Sequence, residues 1–167
     1  QILRPWSSIF ATHYFCCSEL AGRWQFGNKK YDDGKVFLLN NAIDLEKFRF
    51  DKNVRKSKRT ELGISENTFV LGHIGRFVTV KNQKFIIDVF SSVHAKEQDS
   101  VLIIAGQGPL EMELKEYVKK LGLETSVKFL GQRNDAQELY QAMDVFLLPS
   151  LYEGLPVLLV KAQDSGL

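Results

Sequence analysis

Hydrophobic positions change their rhythm along this chain, and the change divides it. The first fifty residues are mixed. Thr12 to Cys17 is a short apolar and aromatic run, and Ser18 can cap a helix over Glu19–Phe26 that Gly27 stops. Val36–Leu39 reads as a short buried strand ended by the turn signal Asn40–Asn41. From Thr68 the pattern becomes regular. Phe69–Ile74 is an apolar strand, and Phe85, Ile86, Val89, Phe90 and Val93 then recur at helical spacing. Val101–Ala105 is a second strand. Pro109 suits the first turn of a helix whose stripe is Leu110, Leu114, Tyr117, Val118 and Leu121, with Gly122 as its stop. Val127–Leu130 is a third strand, followed by a capping box of Asn134 with Gln137 on a helix through Ala142. Val145–Leu148 is a fourth. A last helix begins near Leu155–Pro156 and runs to the chain end.

Continuous apolar strands alternating with helices predict an α/β fold, a Rossmann-like parallel sheet with helices on both faces. Ligands of such sheets bind outside the C-terminal strand ends. Here each of those ends carries usable chemistry: Gly75–Arg76, Gly106–Gly108, Gly131–Arg133, and Ser150 through Gly154.

Composition removes other classes. With 44% hydrophobic and 25% charged residues, the chain is an ordinary globular one rather than disordered or fibrous. A net charge of +2 is too small to argue for nucleic acid. The two cysteines, Cys16 and Cys17, are neighbours, so no disulfide framework is expected and a reducing, cytoplasmic compartment is. No apolar run approaches the ~20 residues of a membrane span, and Gln1 opens no signal peptide. Six cations between Arg49 and Glu61 face only Asp51 and Glu61. The simple reading is a solvated linker or exposed helix face, and the sharper one is contact with anionic headgroups at a membrane surface. No aromatic platform accompanies these charges, which argues again against nucleic acid.

Several constellations could carry chemistry. Gly75–Arg76 with Lys81–Asn82 sets two cations on one strand-to-helix loop, either an anion site for phosphates or a pair of surface charges. Glu153 precedes the last helix, where a carboxylate can cap free amides or accept hydrogen bonds from ligand hydroxyls; capping is the simpler reading. Gly106–Gln107–Gly108 is no dinucleotide fingerprint, because Glu111 stands where the third glycine belongs. His73 and His94 read as structural, and no metal spacing links them to His13.

Taken together, Gly-His-Ile-Gly-Arg-Phe at 72–77, Lys81–Asn82, Ile-Ile-Ala-Gly-Gln-Gly-Pro at 103–109 and Asp-Val-Phe-Leu-Leu-Pro-Ser-Leu-Tyr-Glu-Gly-Leu-Pro at 144–156 resemble the glycosyltransferase group 1 family (family 4). These are retaining, nucleotide-sugar-dependent enzymes of GT-B architecture, and the likeness is greatest to bacterial exopolysaccharide and capsular-polysaccharide members. Asn40 through Asp44 resembles the interdomain connection. The resemblance divides the chain into 1–48 (end of the acceptor-domain side and hinge), 49–65 (basic linker or helix) and 66–167 (donor-binding domain, incomplete at its C-terminus). It implies a fragment with most of a donor site and no acceptor site.

It also implies roles. Arg76 and Lys81 would hold the donor diphosphate and stabilise the leaving group, with Gly75 allowing close approach. The Gly106–Gly108 loop would line the cleft, and Gly131 and Arg133 would flank the base mainly through backbone. Glu153 would bond sugar hydroxyls, and the amides of Gly154 and Leu155 would face the phosphates. No cofactor and no divalent metal are implied; a UDP-sugar is the expected substrate and a glycan or lipid-linked molecule the acceptor. Where the family places a second glutamate for the ribose hydroxyls, this chain has Lys161, which can only donate. A non-catalytic nucleotide- or sugar-binding module and a nucleotide-sugar epimerase are the alternatives.

Overall fold

The computed structural model describes residues 10–39, 41–153 and 156–167. They form two compact units. One holds the described residues up to Ile43 together with Glu153, Pro156 and Val157; the other holds Asp44–Tyr152 and Leu158–Leu167. The boundary lies at 43/44, so the basic segment belongs with the second unit.

In the first unit, β1 (Tyr14–Cys16) pairs in parallel with β2 (Val36–Leu38), with Phe15 opposite Phe37. Between them lie α1 (Glu19–Phe26) and α2 (Asn28–Asp32). The Ser18 hydroxyl accepts from the Ala21 amide at 3.2 Å, and Gly27 closes α1, as the sequence predicts. The short α2 carries no apolar stripe and was not expected. Asn40, the first half of the expected turn, lies outside the described residues.

The second unit opens with α3 (Leu45–Phe48) and α4 (Lys52–Glu61) and continues through β3 (Phe69–Ile74), α5 (Gln83–His94), β4 (Ser100–Ala105), α6 (Glu111–Lys120), β5 (Val127–Gly131), α7 (Ala136–Ala142), β6 (Val145–Phe146) and, from Leu158 on, α8 (Val157–Asp164). Its four strands are all parallel in the order β5-β4-β3-β6. One face packs Leu71, Leu102, Ile104 and Val127 against Ile86, Phe90, Leu114 and Val118 of α5 and α6. On the other face lies Met143, at the end of α7; a side chain at Gly72 would run into its sulfur. The fourth strand is shorter than expected, because only Val145 and Phe146 pair with β3 before the chain turns away. The last helix does not run to the chain end. It stops at Asp164, after which Gly166 turns at φ 86° and the Ser165 hydroxyl reaches the Phe48 carbonyl at 2.9 Å.

The basic segment corrects the solvated reading. It forms α4, which packs on α7, and three of its six cations turn inward. Arg59 is 1% exposed and donates to the carbonyls of Ala142, Ser65, Glu66 and Thr68 and to Asp144. Arg55 bonds the other Asp144 oxygen and the Met143 carbonyl. The Lys58 ammonium lies within 2.5–2.8 Å of Glu61, Asp135 and Glu138. These three carboxylates converge as metal ligands would, and the ammonium already supplies their counter-charge. Only Arg49, Lys52 and Lys56 remain exposed, too few and too scattered to favour the headgroup reading.

The expected capping box is absent for the same reason. Asp135, not Asn134, takes the N-cap of α7, and its carboxylate goes to Arg133 and Lys58 instead of the helix. Arg133 holds the Asp135 carboxyl well below the usual carboxylate range; the opposing effect of burial is smaller. Burial alone would raise Asp144, but the Val70 amide and Arg55 and Arg59 outweigh it and hold it low. A depressed carboxyl pKa gives stability that is fully present above the unfolded pKa and is lost as pH falls through the folded one. Unfolding free energy should therefore decline from about pH 4 downward. Asp144→Asn should flatten that slope in urea titrations at successive pH values; an unchanged slope would remove Asp144 from the account.

Candidate functional site

The chain steps from β3 to β4 to β5 in one direction, then returns to lay β6 on the opposite side of β3. That reversal makes a topological switch point at the C-terminal ends of β3 and β6, where open α/β sheets take ligands. The sequence shows four strand ends but not which two flank the reversal.

Two loops border the crevice, 75–82 after β3 and 147–152 after β6. Two hydrogen bonds stitch them together, the Leu151 amide to the Val80 carbonyl at 2.8 Å and Asn82 Nδ2 to the Pro149 carbonyl at 3.4 Å, and from β3 itself His73 Nδ1 reaches the Leu147 carbonyl at 2.9 Å. Asn82 holds a left-handed conformation (φ 53°, ψ 42°) at the turn into α5. Asparagine tolerates that region better than most residues.

The loops after β3, β4 and β5 are also knitted by backbone. The Gly75 amide donates to Ala105, Phe77 to Gln107, and Gly106 to Gly131 at 2.7 Å. Phe77 is fully buried and meets Phe129 edge-on. A Cβ at Gly106 would strike the Gly75 carbonyl, and one at Gly108 the Phe77 backbone. Loop packing therefore already requires glycine at both positions.

Arg76 is exposed, and its guanidinium makes no ion pair or hydrogen bond among the described residues. Lys81 ends the 3₁₀ turn Thr79–Lys81 on the same loop and is half-buried. The structure thus brings Gly75, Arg76, Lys81, Gly106, Gly108 and Gly131 to one edge of the sheet. Arg133 stands just beyond β5, but its guanidinium is occupied by Asp135 at 2.5 Å and Glu61 at 2.8 Å, which leaves its backbone for any ligand. Lys161 lies on α8 with its ammonium 5.0 Å from the centre of the Phe48 ring. Glu153 is exposed and grouped with the first unit. Since α8 starts at Val157, Glu153 stands four positions ahead of the helix. Gly154 and Leu155 lie outside the described residues.

Two buried polar residues beneath the loops escaped sequence reasoning, which read His73 as structural and did not weigh Gln83. His73 is fully buried and Gln83, the first residue of α5, is 1% exposed. The available signal was a polar ring within an apolar strand, which must find partners when buried.

Comparison with known proteins agrees with this architecture. Residues 54–167 match the family model described as glycosyl transferases group 1. EpsF of Bacillus subtilis is 41% identical over 159 residues, covering 94% of this chain and 41% of that protein. The Escherichia coli UDP-Gal:alpha-D-GlcNAc-diphosphoundecaprenol alpha-1,3-galactosyltransferase is 36% identical over 174 residues, covering 100% and 45%. The crystal structure of Anabaena HepE in complex with UDP and glucose superposes with a TM-score of 0.85 at 25% identity, covering 99% of this chain and 45% of that one. The chain thus spans under half the length of these relatives.

Proposed function

The chain belongs to the glycosyl transferases group 1 family, and from that membership and the site's geometry we propose that it supplies the donor-nucleotide half of a retaining glycosyltransferase. The observation that carries this reading is the unpaired Arg76 guanidinium at a switch-point crevice, on one loop with Lys81. The donor is a UDP-sugar, in keeping with the UDP-Gal in the name of the E. coli relative and the UDP bound by HepE. The acceptor is a growing surface polysaccharide or a lipid-linked glycan, received by sequence outside this chain. The transfer takes place on the cytoplasmic side. Among the described residues no helix is long and apolar enough to cross a membrane.

The chemistry asks for charge where the diphosphate leaves. Arg76 offers a planar fork to two phosphate oxygens, and Lys81 a compact charge beside it. As the bond to the sugar breaks, negative charge grows on the departing phosphate, and fixed cations stabilise it without a divalent metal. The backbone of Gly131 and Arg133 flanks the base, and the Gly106–Gly108 loop lines the cleft. Glu153 accepts from sugar hydroxyls, while the amides of Gly154 and Leu155 face the phosphates.

The isolated chain should bind UDP and transfer no sugar, because proximity requires both substrates held across a cleft. Calorimetry with a panel of nucleoside diphosphates tests the first half. Transfer to an added acceptor by the purified chain would overturn the second. At Lys161 a carboxylate could accept from the ribose, so Lys161→Glu should tighten UDP binding by about 1 kcal/mol. An unchanged affinity would take position 161 out of the site.

A further inference from the structure

Beneath the 75–82 loop lies a polar unit that no ligand would touch. Gln83 Nε2 is 2.8 Å from the Arg76 carbonyl and 3.3 Å from His73 Nε2. The His73 ring's other nitrogen faces the Leu147 carbonyl. Carbonyl oxygens only accept, and this assigns the protons along these three contacts. His73 Nδ1 carries hydrogen toward Leu147, its Nε2 offers a lone pair, and the Gln83 amide donates one hydrogen to His73 and one to Arg76. The reversed amide would set oxygen against the Arg76 carbonyl. The chosen orientation leaves Gln83 Oε1 buried without a partner, a cost that calls for an explanation.

The Arg76 carbonyl also accepts from the Val78 amide at 3.0 Å, closing a three-residue turn at Phe77. Gly75 leaves the space: a Cβ there would come within 2.9 Å of His73 Nε2. The imidazole is therefore a second reason for glycine at 75, beside phosphate approach. The same ring ties the loop after β6, so one buried unit sets both banks of the crevice.

We propose that Gln83, oriented by His73, is the positioning residue for Arg76: it fixes the turn from which the guanidinium projects, and so its aim at the donor diphosphate. The aim at a diphosphate rests on the donor-site reading above; the bracing of the turn does not. A ¹⁵N-resolved spectrum of the imidazole in the 167-residue chain should show the Nδ1–H tautomer at neutral pH. An Nε2–H tautomer overturns the proposal, because Gln83 would then have to turn its oxygen to the ring and would no longer donate to the Arg76 carbonyl, leaving it the Val78 amide alone.

Gln83→Met keeps the volume and removes the amide. It should speed hydrogen exchange of the Val78 amide in the ligand-free chain. It should also weaken UDP binding by about five- to tenfold, the worth of a lost hydrogen bond, while uridine binding stays the same. Unchanged Val78 exchange, or equal losses for UDP and uridine, overturns the positioning role. Failure of the wild-type chain to bind UDP would overturn the donor reading instead, and the tautomer and exchange data would still decide the bracing.

Discussion

Arg59→Met is expected to lower the unfolding free energy of the chain by roughly 3–5 kcal/mol, the range for removing one partner from a buried charged network. A buried ion pair is often no better than a well-packed apolar pair, so the size of the effect needs its own reason. Here the reason is backbone. Arg59 donates to four main-chain carbonyls at 2.8–3.1 Å as well as to Asp144 at 2.8 Å. No substitution elsewhere can delete those carbonyls, and methionine has nothing to offer them. Each buried acceptor left without a partner costs about 1–3 kcal/mol, although relaxation and water entry keep such losses from adding fully. Asp144 is less exposed to loss, since Arg55 and the Val70 amide still hold it. Arg59→Lys should recover part of the stability, because a lysine restores the charge but not the fork. Urea midpoints for the three proteins at neutral pH decide the matter. A loss below about 1 kcal/mol for Arg59→Met would mean that the carbonyls find other donors, and α4 would then be a surface helix as its composition suggests.

That composition explains where sequence reading stops. Phe69–Ile74 and the run ending at Ala105 announce themselves because both faces of a parallel strand are apolar, and the described strands begin and end within a residue of those limits. The helix stripe from Leu110 to Leu121 is legible for the same reason at a different period. Charged residues carry no comparable signal. Nothing local distinguishes Lys56, which stays exposed, from Arg59 three residues later, whose burial depends on the Asp144 carboxylate 85 positions away and on carbonyls up to 83 positions away. The Asn134 box failed on the same ground, since Arg133 and Lys58 claimed the neighbouring carboxylate. The candidate site divides likewise. Glycines and cations at strand ends can be read from the chain, whereas the pairing of β6 with β3 is a long-range fact. That pairing makes the β3 loop rather than the β5 loop one bank of the crevice. His73 and Gln83 are ten positions apart and belong to different periodic patterns, so His73 looked merely structural and nothing drew notice to Gln83.

Arg76→Ala and Lys81→Ala should each weaken UDP binding by roughly 1–3 kcal/mol, the range for hydrogen bonds in which a partner is charged. Their losses on free uridine should be near zero, because the nucleoside brings no phosphate. The two residues need not behave alike. Arg76 spends its guanidinium on nothing else among the described residues, so its removal costs binding and almost no stability. Arg76→Lys keeps the charge but loses the two-pronged geometry, and should lie between wild type and alanine. Lys81 ends a tight turn whose amide bonds the Val78 carbonyl at 2.9 Å, and alanine preserves that backbone bond. Both residues stand on one short loop and would share one diphosphate, so the double variant should lose less than the sum of the singles. Raising the salt concentration should weaken wild-type UDP binding and should affect the double variant much less. Calorimetric titration of UDP and uridine at two salt concentrations reads all of these. Equal losses for nucleoside and diphosphate would show that the cations support the loop and not the phosphates, and the anion site would have to be sought on another strand end.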